Sequence, residues 1–101
     1  KTKKIKKNTK YKEEVQKITS VLESNSYPPI TVTAGVMVEW TIQAAEGTIN
    51  GCNKQMIIPE YDITQNLVVG DNVITFMPEE SGTFGYSCWM GMIRSSITVV
   101  E

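Results

Sequence analysis

Short runs of alternating apolar and polar residues, separated by turn-forming residues, occupy most of the chain after residue 29. The clearest run has a large apolar residue at every second position: Val36, Val38, Trp40 and Ile42. Successive side chains of a strand point to opposite sides, so this spacing marks one buried face of a strand. Similar but shorter runs lie at 30–33, 63–67, 73–76, 83–87 and 97–100. About seven short strands with Gly- and Pro-containing turns predict an all-β Greek-key sandwich or barrel, and argue against a parallel sheet.

Two segments precede this predicted β domain, which we place at residues 27–101. Residues 1–10 lack apolar periodicity and carry many like charges, which is typical of a flexible basic tail. Apolar residues then recur at helical spacing: Tyr11, Val15, Ile18 and Leu22. We therefore predict a short amphipathic α-helix at about 11–23, within a helix-and-linker segment at 11–26.

The charge of the chain is divided sharply between its two parts. Residues 1–17 contain eight Lys and two Glu (8 − 2 = +6), whereas residues 18–101 contain Lys54 and Arg94 against nine acidic residues (2 − 9 = −7). The basic segment is interpreted either as a solvated tail or as a contact with an anionic membrane or cell-wall surface. Nucleic-acid binding is not expected, because the body is acidic and a single aromatic residue, Tyr11, lies among the lysines.

The chain contains no histidine. This excludes the Ser/His/Asp and Cys/His catalytic arrangements, zinc sites that use imidazole, and copper centres with histidine ligands. Separately, we expect that the protein converts no substrate and is not an enzyme.

Three sulfur-containing residues follow the run at 83–87 at alternate positions: Cys88, Met90 and Met92. If a strand continued there, all three side chains would point the same way. Trp89 would then face away from them and either close the site or pack on the sandwich. The second cysteine, Cys52, lies in an irregular segment with an Asn-Gly turn, which indicates a loop that presents the thiol.

Two thiolates and two thioethers are soft donors, and such a set selects Cu(I) over Mg²⁺, Ca²⁺ or Mn²⁺. The four sulfurs of Cys52, Cys88, Met90 and Met92 suffice for one tetrahedral ion, or for two ions if the thiolates bridge them. Met56 follows Cys52 by four residues and is a possible additional ligand, although its apolar neighbours favour a place in the core. The alternative for the cysteines is a structural disulfide, which would add about 3–4 kcal/mol of stability.

Three motifs occur in this order along the chain: Gly35-x-x-Val38-x-Trp40, Gly70-Asp71-Asn72-x-Ile74-x-Phe76 and Ser81-Gly82-Thr83-Phe84-x-Tyr86-x-Cys88. Their order resembles the cupredoxins over roughly residues 27–101. Electron-carrying cupredoxins usually have a histidine in each ligand loop, where this chain has Cys52 in one loop and methionines after Cys88 in the other. This departure is similar to bacterial cupredoxin-fold copper(I) chaperones of the CupA type and to the metal-binding domain of copper-exporting P-type ATPases.

The resemblance implies that Cys52, Cys88, Met90 and Met92 bind one or two Cu(I) ions through bridging thiolates. It implies a chaperone or buffer in copper resistance that passes Cu(I) to a copper-exporting P-type ATPase by ligand exchange. An N-terminal domain of such an ATPase is the alternative, and a structural sandwich with a Cys52–Cys88 disulfide is the second alternative. Because the chain begins with Lys rather than Met, we expect an upstream anchor that holds it on the extracytoplasmic side of the cell membrane.

Overall fold

The computed structural model describes residues 14–101, which form eight strands and one short 3-10 helix at Pro59–Tyr61. The strands are β1 (Val15–Val21), β2 (Ile30–Thr33), β3 (Met37–Ala44), β4 (Gln55–Ile58), β5 (Ile63–Asn66), β6 (Gly70–Phe76), β7 (Gly82–Cys88) and β8 (Arg94–Val100). They make two sheets, one with the order β1-β3-β6 and one with the order β2-β8-β7-β4-β5. The predicted all-β sandwich is confirmed.

The core between the sheets follows the alternation of the sequence. Val38, Trp40 and Ile42 of β3 are fully buried, as the spacing predicts. The opposite sheet contributes Ile58 of β4 and Ile97 of β8, which are also fully buried. Apolar side chains removed from water on both inner faces supply the main stabilising free energy of the sandwich.

An aromatic cluster connects the two sheets at the centre of this core. Trp40 meets Tyr86 of β7 edge-on, and Tyr27 stacks on Tyr86, with ring centroids 5.5 Å apart in both pairs. The indole N–H of Trp40 donates to the Ser20 hydroxyl at 3.0 Å, and the Tyr86 hydroxyl donates to the Pro28 carbonyl. The polar atoms of these large residues are therefore satisfied inside an apolar environment.

The predicted helix at 11–23 is wrong over the described residues, because Val15–Val21 forms β1 and pairs in parallel with β3. Gln16, Ile18 and Ser20 face inward while their neighbours face solvent. Two of these three inward residues are polar, so the sequence shows no apolar residue at every second position of β1. The apolar residues that it does contain happen to be spaced as in a helix. The sandwich thus begins at Val15 rather than at residue 27, while residues 11–13 of this prediction and the predicted basic tail at 1–10 lie outside the described part of the chain.

Gln16 closes one side of the sandwich by joining the edge strands of both sheets. Its side-chain N–H groups donate to the carbonyls of Thr33 at 2.7 Å and Val36 at 2.9 Å, and its side-chain oxygen accepts from the Thr33 N–H at 2.9 Å. A half-buried amide with three hydrogen bonds fixes the relation of the two edges.

The pairs β1–β3 and β2–β8 are parallel, so both sheets are mixed, contrary to the expectation that parallel pairing would be absent.

Strand β4 brings the two cysteine-bearing segments to one end of the sandwich. No regular alternation is visible in that part of the sequence, but Gln55–Ile58 pairs antiparallel with β7 and places Met56 opposite Cys88. The loop before β4 carries Cys52, and the turn after β7 begins at Cys88. Among residues 14–101, no helix has the length and apolar character that crossing a membrane requires.

Candidate metal centre

Cys88 is the last residue of β7 and is 1% exposed. The chain turns immediately after it: the Gly91 N–H donates to the Cys88 carbonyl at 2.9 Å, and the Cys88 N–H donates to the Ile93 carbonyl at 2.9 Å. Gly91 has φ = 74°, a left-handed conformation that glycine adopts without a steric penalty. Because this is a turn, the strand alternation expected for Cys88, Met90 and Met92 ends at Cys88.

The loop that carries Cys52 is held by side-chain amides. The Asn50 side-chain oxygen accepts from the N–H groups of Cys52 at 2.9 Å and Asn53 at 2.8 Å. Asn53 is fully buried; its side chain accepts from the Asn50 N–H and donates to the Thr48 carbonyl. The Tyr27 hydroxyl donates to the Asn53 carbonyl at 2.8 Å. These bonds give the half-buried Cys52 a defined position without regular secondary structure.

The two cysteine sulfurs lie 3.6 Å apart and are both free thiols. Metal–thiolate bonds are about 2.3 Å long, so both sulfurs are close enough to bind one ion without separating the loops. Trp89 ties the loops together directly, since its indole N–H donates to the Gly51 carbonyl at 2.9 Å and its main-chain N–H donates to the Gln55 carbonyl at 3.0 Å. The thiol pair is therefore part of a preformed site.

The two thiols differ in acidity. Burial raises the pKa of Cys88, but N–H groups of Ile93, Met92 and Met90 and the Cys52 thiol direct hydrogen bonds at its sulfur and lower the pKa to about 7. The pKa of Cys52 is raised, because it hydrogen-bonds Cys88, is partly desolvated and lies beside the Cys88 charge. As pH rises through neutrality, Cys88 therefore ionises before Cys52.

The three methionines occupy different environments around this pair. Met90 and Met92 lie on the turn after Cys88 and are 49% and 73% exposed. Met56 is fully buried beneath the site, directly across from Cys88 in the β4–β7 pairing. Residues 14–101 hold no cluster of three or more His, Cys, Asp or Glu side chains suited to a metal. A third protein donor beside the thiols would thus have to be a thioether, a main-chain group or a weaker ligand, and the assignment of the methionines remains a prediction.

Sequence reasoning missed most of the residues that support the thiols. Asn50 and Asn53 flank Cys52, and Asn is the residue type that bonds main-chain N–H groups two or three positions away, so this signal was available. Tyr27 lies 26 residues from its partner Asn53, and no local pattern points to that contact. The position of Trp89 against the Cys52 loop likewise depends on the turn that ends the strand alternation.

No protein-family model matches the chain, and no curated protein sequence is similar to it at a significant level. Solved structures are similar. The apo form of a copper-binding protein has a TM-score of 0.75 and 22% identity, with 86% of this chain and 89% of that chain covered. A mutant of amicyanin has a TM-score of 0.54 and 15% identity, with 82% of this chain and 81% of that chain covered. At these identities the likeness shows the cupredoxin-like fold alone.

The metal-binding domain of CopA, a Cu(I)-exporting P-type ATPase of Streptococcus pneumoniae that was solved with Cu(I), is more similar in sequence. Its TM-score is 0.75 and its identity is 32%, with 88% of this chain and 89% of that domain covered. The chain therefore belongs to the same family of cupredoxin-like domains as the pneumococcal CopA metal-binding domain.

Proposed function

We propose that the protein is a copper(I) chaperone or buffer of the CupA type, which holds one or two Cu(I) ions with Cys52, Cys88, Met90 and Met92 and passes them on by ligand exchange. The observation that carries this proposal is the pair of free thiol sulfurs 3.6 Å apart, at the junction of two loops that are bonded to each other. No reaction converts a substrate in this scheme, so the protein is a carrier rather than an enzyme.

The chemistry of the donors supports copper(I) over other metals. Thiolates and thioethers are soft ligands, and without histidine the chain lacks the imidazoles of an electron-carrying copper site. The low pKa of Cys88 supplies one thiolate near neutral pH, while Cys52 must release its proton on binding. Two of the similar solved structures are a copper-binding protein and a domain solved with Cu(I), which supports copper as the metal.

The exposure of the methionines supports transfer. Met90 and Met92 are neutral donors at the surface, whereas Cys88 is buried behind them. An incoming thiolate would replace a thioether first, and the cysteines would let go afterwards. Protonation of Cys52 would then favour release, because its pKa is raised in the fold.

The partner in this proposal is a copper-exporting P-type ATPase, and the protein acts on the extracytoplasmic side of the cell membrane, where an anchor retains it. The Lys-rich segment at 1–17 would add attraction to an anionic membrane or cell-wall surface. The likeness to an ATPase domain supports this kind of partner, since metal donors and acceptors commonly present similar ligand sets.

A second candidate is that the chain is itself the metal-binding domain of a copper-exporting ATPase. The 32% identity to the CopA domain over 89% of its length favours this reading. The mass of the native gene product distinguishes the two, because a chaperone would be a small anchored protein and a pump would carry many membrane spans. Detection of this domain only within a polypeptide of ATPase size would replace the chaperone proposal with the pump proposal.

An anaerobic competition titration with a Cu(I) chelator tests the proposal. We expect wild type to bind one or two ions, Cys88→Ser to bind none tightly, and the Met90→Leu/Met92→Leu variant to lose only the weaker binding. Met77→Leu is a matched control, since Met77 lies on the loop that enters β7 at the opposite end from Cys88. Failure of wild type to compete with a chelator of moderate affinity would contradict the proposal.

The same samples test the structural alternative. If Cys52 and Cys88 form a permanent disulfide, the purified protein will show no free thiol under native conditions. It will also be less stable after reduction, by about 3–4 kcal/mol. The proposed function instead requires two reactive thiols and a gain of stability when Cu(I) is added.

A further inference from the structure

A group of exposed apolar residues lies on the turn that follows Cys88 and on the segment between β5 and β6, and this group includes the neighbours in the sequence after Cys88. Its members are Met92, Met90, Trp89, Val68 and Val69, which are 49% to 73% exposed. Single exposed apolar side chains are ordinary, but an adjoining group of this size is characteristic of interaction sites. We refer to these five residues, together with Lys54 and Arg94, as the Trp89 face.

Main-chain hydrogen bonds join the segments that carry these residues. The Trp89 N–H donates to the Gln55 carbonyl, and the Leu67 N–H, just before Val68, donates to the Lys54 carbonyl at 2.8 Å. Between Trp89 and Leu67 lies a groove of about 480 Å³, lined by Lys54, Gln55, Asn66, Leu67 and Trp89. The turn after Cys88 and the segment that carries the valines are thus both attached to the start of β4, with this groove between them.

Each of the two basic residues of the acidic body contacts a part of this face, Lys54 at the Trp89 ring and Arg94 at the turn between Met90 and Met92. Between residues 18 and 101 the sequence has two basic residues, Lys54 and Arg94, against nine acidic ones. The Lys54 ammonium lies 5.7 Å from the centre of the Trp89 ring, and the Arg94 Nε donates to the Gly91 carbonyl at 2.9 Å. Neither contact involves a carboxylate, so both charges remain available to an acidic partner.

We propose that the Trp89 face is the docking surface for a protein partner that presents carboxylates around an apolar contact. This rests on the proposed function in so far as the partner gives or takes copper at the adjacent thiols. Trp89 provides the aromatic anchor, since buried Trp and Arg side chains carry much of the free energy of protein association. Lys54 and Arg94 attract the carboxylates and fix the orientation.

A second copy of this chain fits the same surface poorly. A two-fold contact through the Trp89 face would bring Lys54 and Arg94 of each copy near those of the other, since such an interface uses the same patch twice. Like charges across an interface are destabilising. The remaining surface of the body is acidic, which resembles the surface expected of the partner, so self-association is tested directly below.

The test uses the complete chain, without copper, labelled with ¹⁵N for NMR. The probe is a short synthetic peptide that repeats Glu-Met-Gly, and the matched peptide repeats Lys-Met-Gly. Because the Lys-rich segment at 1–17 will attract any acidic peptide, the readout is the set of shifts at Lys54, Leu67, Val68 and the Trp89 indole. We expect saturable shifts there with the acidic peptide and none with the basic one.

Two variants complete the experiment. Lys54→Glu/Arg94→Glu should weaken binding at the Trp89 face about tenfold. Lys17→Glu, an exposed change on the outer side of β1, should leave it unchanged. Shifts confined to residues 1–17, equal binding of both peptides, or shifts that follow protein concentration without peptide would overturn the proposal. Because no copper is present, these outcomes are independent of the copper titration.

Discussion

The Cys52 sulfur lies 3.6 Å from the Cys88 sulfur, although 36 residues separate them in the sequence. Each cysteine is positioned by its own hydrogen bonds: the Cys52 N–H donates to the Asn50 side-chain oxygen, and the Cys88 N–H donates to the Ile93 carbonyl. The Trp89 indole then bonds one loop to the other. A pair fixed from both sides needs little rearrangement to bind an ion, so little of the binding free energy is lost to ordering.

The acidity of Cys88 predicts a thiolate near neutral pH. Its pKa is about 7 in the folded protein against an ordinary value of 9.0. Between pH 7 and 9 the unfolded state binds more protons, so the free energy of unfolding should rise with pH in that range. This contribution is lost as pH falls through about 7. Ultraviolet thiolate absorbance and urea unfolding at a series of pH values measure the two effects.

Cys88→Ser is the control for both measurements. In that variant the thiolate transition near pH 7 should disappear, and stability should depend less on pH between 7 and 9. The raised pKa of Cys52 has the opposite sign and acts above pH 9, outside this window. Burial raises the pKa of Tyr27 and Tyr86, so their ionisation does not overlap. A first thiolate that forms only above pH 9 in wild type would contradict the prediction.

Asn53→Ala should destabilise the loop that carries Cys52. The substitution leaves the Asn50 N–H and the Thr48 carbonyl without these partners in a partly buried environment, and it removes a side chain that is itself fully buried. We expect a loss of about 2–3 kcal/mol, measured by urea unfolding, because unsatisfied buried polar groups are costly. Cu(I) affinity should fall as well, since Cys52 would no longer be held beside Cys88.

Asn25→Ala is the matched control for that experiment, because Asn25 is fully exposed in the turn before β2. It should change stability by less than about 0.5 kcal/mol. An Asn53→Ala protein that is as stable as wild type would show that the side-chain amide does not hold the loop. If Asn53→Ala weakens copper binding without changing the free energy of unfolding, the Asn53 side chain positions Cys52 but does not stabilise the fold.

The parts of the fold that could be predicted are the strands whose buried positions are occupied by large apolar residues. The three fully buried residues of β3 are large and apolar, so their period of two is visible in the sequence. The cysteine positions likewise indicated the two loops. These features depend on residue type and local spacing, which a sequence displays directly.

The parts that were missed depend on partners distant in sequence. Gln16 and Ser20 face inward because their side chains form hydrogen bonds with Thr33, Val36 and Trp40. No sequence pattern near β1 indicates those partners. The acidity of Cys88 depends on N–H groups of a turn rather than on charged neighbours. Tertiary hydrogen bonds therefore decided the strand that was read as a helix, whereas the conformation of the turn at 89–93 decided the acidity of the thiol.

Gln16→Ala tests the corrected assignment of the first segment. The change removes three hydrogen bonds that join β1 to Thr33 and Val36. We expect a loss of about 2 kcal/mol in the free energy of unfolding, since each net bond contributes about 0.5–1.5 kcal/mol. Lys17→Ala, one position along and exposed, should be nearly neutral. Equal effects of the two substitutions would contradict the alternation of β1.

Gly91→Ala should strain the turn that surrounds the Cys88 sulfur. Gly91 has φ = 74°, and a Cβ there would meet no atom within 4 Å, so the cost is conformational rather than a clash. We expect a loss of about 1 kcal/mol, because a residue with a Cβ disfavours the left-handed conformation. If the turn relaxes, its N–H groups move from the sulfur, and the pKa of Cys88 should rise. Urea unfolding and thiolate absorbance measure these changes.

Two further substitutions separate strain from loss of contacts. Gly91→Asn should cost less than Gly91→Ala, because Asn tolerates positive φ better than Ala does. Gly51→Ala should be nearly neutral, since Gly51 has no positive φ and open space around its Cα, although its carbonyl accepts from the Trp89 indole. A rise in the pKa of Cys88 for Ala but not for Asn would identify the turn conformation as the source of its acidity. Unchanged acidity in a destabilised Gly91→Ala protein would instead assign the low pKa to the Cys52 thiol.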